Sequence, residues 1–157
     1  MILLTVGTQL PFDRLVKLAD QWAGRNPSVE ILAQTAQGEY MPRNMRQVDY
    51  LDERAYADAF GRASVVVAHA GMGTVINSLI ASKPVVIYPR RASLGEHRNE
   101  HQLATCRKLE HLSGCYVAYE PDQLFDTLDS VGTLQGGSIR PYANDDLLNT
   151  IDRFIAG

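Results

Sequence analysis

Residues Val65–Leu79 read VVVAHAGMGTVINSL: three consecutive valines, then His-Ala-Gly-Met-Gly-Thr, then a helical pattern. A valine run of this length suits a strand buried on both faces of a sheet. Gly71 and Gly73 fall one residue apart where that strand becomes a helix. Without a Cβ, such positions let a ligand phosphate reach the backbone amides. Thr74 adds a hydroxyl, and a helix start adds partial positive charge, so a diphosphate can be held without a lysine. The stretch is not a dinucleotide fingerprint, because Ile76 stands where G-x-G-x-x-G needs its third glycine, and the G-x-x-x-x-G-K-[ST] pattern is absent. His69, at the strand end, can bond a phosphate or a sugar hydroxyl, act as a base, or sit in the core bonded to backbone.

On either side, strands and helices alternate. Ile2–Thr8 is an apolar run with glycine near its end, and a helix is expected over Pro11–Gly24, with the proline in its first turn. Val29–Thr35 is a second strand, 37–47 a polar loop, and Val48–Leu51 a short third strand. Asp52 is placed to cap the helix that follows. The stretches 64–71, 84–90 and 115–120 are three further strands, followed by helices over Met72–Ser82, His97–His111 and Pro121–Val131. A Gly- and Pro-containing connection leads to a final amphipathic helix over 144–157, with Asn144 as its cap. This alternation predicts an α/β fold: a Rossmann-like parallel sheet with helices on both faces, in a single domain over residues 1–157. In such sheets ligands bind outside the carboxyl ends of the strands.

Two further turns at that end carry unusual chemistry. Gly7 allows close backbone approach, while Thr8 and Gln9 offer side-chain hydrogen bonds ahead of a helix start that favours an anion. The plainer role for Thr8 is a helix cap. The third turn, Tyr88–Cys106, carries Arg90, Arg91, Glu96, His97 and Arg98 before apolar periodicity resumes. His97 and His101 are four apart, but HRNEH is not the zinc pattern H-E-x-x-H and no third ligand is in view, so no metal is expected. Glu100, His101 and Gln102 are instead read as hydrogen-bonding groups for a polyhydroxylated ligand; a solvated helix start is the bland alternative.

Composition narrows the classes. The 157 residues are 45% hydrophobic and 21% charged, as in ordinary globular proteins. A formal net charge of −3 provides no basic field for nucleic acid. No apolar run approaches a membrane span, and MILLTVGTQ has no basic region or cleavage site of a leader. Cys106 and Cys115 are expected to be buried reduced thiols in a cytoplasmic chain.

Taken together, LTVGTQ, AHAGMGT, KPVVIYPR and GEHRNEHQ, in that order and spacing, resemble the C-terminal, donor-binding half of GT-B enzymes in the glycosyltransferase family 28 C-terminal group. The likeness runs over nearly the whole chain to small stand-alone members, the catalytic subunit of the dolichol-linked UDP-GlcNAc transferase and bacterial exopolysaccharide subunits among them. It implies a UDP-sugar donor, transfer with inversion to a lipid-linked acceptor, and no cofactor. By position, Gly7, Thr8 and Gln9 would lie near the donor phosphates. His69, Ala70, Gly71, Met72, Gly73 and Thr74 would form the diphosphate loop, and His101 and Gln102 would meet the sugar. Where the family commonly places an acidic residue on the ribose, this chain has Asn77, which bonds a hydroxyl but carries no charge.

In two-domain relatives the acceptor site and base belong to the other half. The resemblance therefore implies a membrane-anchored partner subunit, with this chain peripheral to the inner membrane face through it. Leu147, Leu148, Ile151, Phe154 and Ile155 of the last helix are candidates for docking on that partner or for packing on their own sheet. The rival readings are a non-catalytic nucleotide-sugar-binding module and an unrelated nucleotide-binding α/β enzyme.

Overall fold

The computed structural model describes residues 1–138, so the helix expected over 144–157, with its cap and docking residues, lies outside them. The elements run β1 (Ile2–Thr5), α1 (Asp13–Arg25), β2 (Ile31–Gln34), β3 (Arg46–Val48), α2 (Glu53–Arg62), β4 (Val65–His69), α3 (Met72–Ile80), β5 (Val85–Tyr88), α4 (His101–Leu109), β6 (Cys115–Val117) and α5 (Pro121–Asp129). Short 3-10 turns occupy Ala92–Leu94 and Val131–Thr133.

The six strands form one sheet in the order β3-β2-β1-β4-β5-β6, every pair parallel. Alternation along the strands sends Leu4, Val67 and Val86 to one face, where they meet Leu15, Val16, Ala19 and Trp22 of α1 and Leu124 and Leu128 of α5. Val66 and Ile87 point to the other face, against Val75 and Leu79 of α3 and Cys106 and Leu109 of α4. Leu3 on that face meets Ala59 of α2. With both faces covered, near-continuous apolar strands are what a parallel sheet requires. Trp22, 1% exposed, also joins α1 to α5 by donating its indole N–H to Asp129 Oδ1 at 2.7 Å.

Helix signals in the sequence correspond to real caps. Asp52 accepts the Ala55 N–H at 2.8 Å, and Pro121 follows a reciprocal Glu120–Gln123 capping box. Cys106 and Cys115 are free, buried thiols; burial pushes both up to about 12, which leaves them protonated and inert.

Several boundaries differ from the sequence expectation, and four of the differences have a tertiary cause. β1 stops at Thr5, because Gly7 turns the chain at φ +81° and its N–H returns to Thr5 Oγ1. α1 begins at Asp13, beyond the proline, because the Pro11 carbonyl is engaged by Arg90. β3 is Arg46–Val48, starting within the expected loop and ending at the first residue of the expected strand, since Arg46 pairs with Leu32 and Val48 with Gln34. The Leu51 N–H goes instead to Gln34 Oε1 at 2.9 Å. α4 opens at His101, because residues 89–97 are held in a loop by Glu96. Glu96 accepts from Arg14 at 2.7 and 2.8 Å and from the Arg91 N–H at 2.9 Å.

Candidate functional site

Strand order reverses between β1 and β4: the chain crosses from β1 outward to β2 and β3, then returns to the other side of β1. Loops leaving two such strands diverge, and the crevice between them opens at the carboxyl end of the sheet. A cavity of about 460 Å³ lies there. It is lined by Val6–Leu10 after β1, by His69, Gly71, Gly73 and Thr74 after β4, and by Arg90, His97 and Gln102 after β5. No carboxylate is among these lining residues.

Two rows of backbone donors border the cavity. α3 follows Gly71, an N-cap with no side-chain cap, and the first N–H within the helix to find a carbonyl among the described residues is that of Val75, on Gly71 O at 3.3 Å. Among the described residues the N–H groups of Met72, Gly73 and Thr74 are thus the unpaired first turn of a helix. Across the crevice, the N–H groups of Thr8, Gln9 and Leu10 donate to no group among the described residues.

His69 sits between the rows. Its pKa is lowered to about 4, chiefly by burial and further by the nearby Arg90 guanidinium, with His97 adding slightly and the Thr5 backbone opposing. Its Nδ1 is buried and has no hydrogen-bond partner among the described residues. The ring fills the room that two glycines leave: a Cβ on Gly7 would lie 2.8 Å from its Cε1, and one on Gly71 only 2.4 Å from its Nε2. Gly73 differs, for a Cβ there meets nothing within 4 Å. Of the two glycines in AHAGMGT, then, the first makes room for the histidine and the second borders open cavity.

This assignment has a thermodynamic signature. Gly71 has φ −92°, open to any residue, so only the imidazole opposes a side chain there. Gly71→Ala is expected to cost about 1–3 kcal/mol by overpacking. Adding His69→Ala should return at least about 1 kcal/mol relative to the sum of the single changes, measured by urea unfolding. Strict additivity would show that the glycine does not serve the ring.

Arg90 is 3% exposed and makes no ion pair among the described residues. Its guanidinium donates to the carbonyls of Val6 at 2.8 Å, Leu10 at 2.6 Å and Pro11, and lies 4.7 Å from the Phe12 ring centre. Burial lowers its pKa to about 10, with Glu96 opposing, so it remains a cation at neutral pH. Gln102, 7% exposed, accepts the Arg90 N–H on Oε1 at 2.9 Å. His97 accepts the Asn99 N–H on Nδ1 at 3.4 Å.

The sequence-derived residues therefore divide. Gly7, Thr8, Gln9, His69, Gly71, Gly73, Thr74 and Gln102 come together on the cavity. Ala70 packs in the core and Met72 against it, and neither is among the residues that line the cavity. Asn77 is exposed on α3 and does not line the cavity. Neither do Glu100, whose carboxylate accepts the Ser93 N–H at 3.0 Å, and exposed His101 at the head of α4. Arg90 and His97 also line the cavity, beyond the residues that the sequence assigns to the donor. The available signal for Arg90 was its place two residues beyond β5, at the sheet's ligand-binding end.

Among the described residues no cluster of three or more His, Cys, Asp or Glu could hold a metal ion, and no helix is long and apolar enough to cross a membrane.

Comparison with solved structures finds the same architecture repeatedly. The NMR structure of ALG13 is 15% identical with a TM-score of 0.63, covering 96% of this chain and 93% of that one. The glycosyltransferase of kitacinnamycin is 18% identical with a TM-score of 0.62, and Acinetobacter baumannii MurG is 22% identical at 0.57. Each of these two covers 84% of this chain, which spans only 34% and 42% of their lengths respectively. At such identities the likeness establishes a shared GT-B-type Rossmann-like fold. No curated protein sequence gives a significant match. The glycosyltransferase family 28 C-terminal domain model matches residues 1–133, and this chain belongs to that family.

Proposed function

We propose that this chain is the donor-binding, catalytic subunit of an inverting glycosyltransferase that moves a sugar from a UDP-sugar to a lipid-linked acceptor. The observation that carries this reading is the acid-free cavity at the β1–β4 crevice, bordered by two rows of N–H groups without an acceptor among the described residues and backed by a buried arginine that makes no ion pair among them. Such a site is complementary to a diphosphate. Departure of UDP concentrates negative charge on that diphosphate, where fixed N–H dipoles in a dry crevice act most strongly.

Inversion also needs a base on the opposite face of the sugar to deprotonate the acceptor hydroxyl. With its pKa at about 4, His69 is a poor base at neutral pH, and its neutral ring is suited to hydrogen bonding with donor oxygens. The base and acceptor site are assigned to a second, membrane-associated subunit, with this chain cytoplasmic and peripheral to the membrane. The chain spans about a third to two fifths of the lengths of the kitacinnamycin enzyme and MurG. Polysaccharide or glycolipid synthesis is the setting this chemistry suits.

Titration calorimetry on the purified chain tests the reading. UDP and UDP-sugars should bind, UMP more weakly because it occupies fewer of the N–H groups, and EDTA should leave the affinities unchanged. Absence of heat with every uridine nucleotide would reject it. Sugar transfer to a lipid acceptor should then appear only when the partner subunit is added.

A further inference from the structure

The feature that the donor reading leaves unexplained is how Arg90 is used. A guanidinium has five N–H donors in a fixed planar fork. Here three are committed to carbonyls of one short segment: one nitrogen to Pro11 O, the other to both Val6 O and Leu10 O. The Arg90 main chain is fixed in turn by Gln102 Oε1, which ties the end of β5 to α4. Arg90 is thus the point through which the loops after β1 and β5 are joined.

Geometry makes this joint consequential. Turning the Val6, Leu10 and Pro11 carbonyls toward the arginine fixes both ends of the segment that carries the Thr8, Gln9 and Leu10 N–H groups. Gln34 supports it from the far side, donating to Gly7 O at 3.3 Å. No other charged side chain engages the segment among the described residues. A lysine could not reproduce the arrangement, because an ammonium has no planar fork with which to span three carbonyls.

We propose that Arg90 is a positioning residue that holds the N–H row at 8–10 opposite the row at 72–74, so that both act on one bound anion. This rests on the diphosphate reading of the cavity. Among the described residues the cation behind the segment contacts carbonyl dipoles and the Phe12 face, with Glu96 acting on it without forming an ion pair, and an anion in the cavity supplies the direct countercharge. Donor binding and loop shape are therefore coupled through this side chain.

The test compares wild type with Arg90→Lys and Arg90→Gln, using UDP as the probe, at a temperature where melting curves show each variant folded. Arg90→Lys should bind UDP at least tenfold more weakly although it keeps the charge, and Arg90→Gln no better. In the free protein, Arg90→Lys should shift or broaden the backbone amide resonances of Thr8, Gln9 and Leu10 and leave those of Met72, Gly73 and Thr74 in place. Wild-type affinity in Arg90→Lys would overturn the proposal, as would a lowered melting temperature with unchanged affinity. Wild-type hydrogen exchange tests the same point without substitution. UDP should protect amides 8–10 as well as 72–74, and protection confined to the second row would overturn it. A wild-type chain that binds no UDP removes the donor reading and this proposal together, whereas UDP binding with an indifferent Arg90 removes this proposal alone.

Discussion

Gly73→Val should reduce UDP affinity at least a hundredfold while leaving the protein as stable as wild type. The two halves of this expectation have separate causes. A Cβ on Gly73 meets nothing within 4 Å in the free protein, and the residue sits in the first turn of α3, where valine is a better helix former than glycine. Folding is therefore not penalised. Gly73 itself lines the cavity. A branched side chain there stands where a phosphate must lie to reach the N–H groups at the start of α3, and losing two or three charge-assisted hydrogen bonds accounts for a loss on the order of 3 kcal/mol. Calorimetry with UDP, paired with a urea denaturation curve, measures both quantities. Unchanged affinity in a folded variant would place the diphosphate elsewhere.

The second large effect is a loss of stability in mild acid that belongs to one side chain. In the unfolded chain His69 titrates near about 6.5; in the folded protein burial, with Arg90 and His97 adding, lowers it to about 4. Between those values the unfolded state takes up a proton that the folded state refuses. The contribution is therefore complete above about pH 6.5 and is lost as pH falls toward 4, amounting to about 3 kcal/mol. Other groups titrate in the same window, so the informative quantity is the difference between wild type and His69→Gln. From pH 7 to pH 4 the wild type should lose about 3 kcal/mol relative to the variant. Parallel curves would show that the imidazole is not held neutral.

These expectations also show how far the sequence alone could be read. The valines of β4, the alternation of apolar strands with helices, the Asp52 cap and the Pro121 start express local chemistry: side-chain period, backbone freedom and hydrogen bonds to near neighbours in the chain. The same local signals marked the turns after β1 and β4 as the ligand end of a parallel sheet, and eight of the residues singled out there and after β5 do line the cavity. Boundaries failed where a distant group claims a main-chain atom, as Arg90 does at Pro11 and Gln34 does at Leu51.

The site divides along the same line. Sequence determined that Gly71 and Gly73 lack side chains at a strand-to-helix turn, but it could not tell them apart. Only the folded chain makes one the berth of the His69 ring and the other the border of an open cavity. Likewise, HRNEHQ presents His97, Glu100, His101 and Gln102 as one polar run. The start of α4 at His101 and the Glu96 anchor send His97 and Gln102 to the cavity and leave Glu100 and His101 outside it. Arg90 is the strongest case, since its significance lies in carbonyls about eighty residues earlier in the chain. Period and spacing report which face of its own element a residue occupies. Which remote backbone groups it meets, and whether its charge is left uncompensated, arise only when β1, β4 and β5 lie side by side.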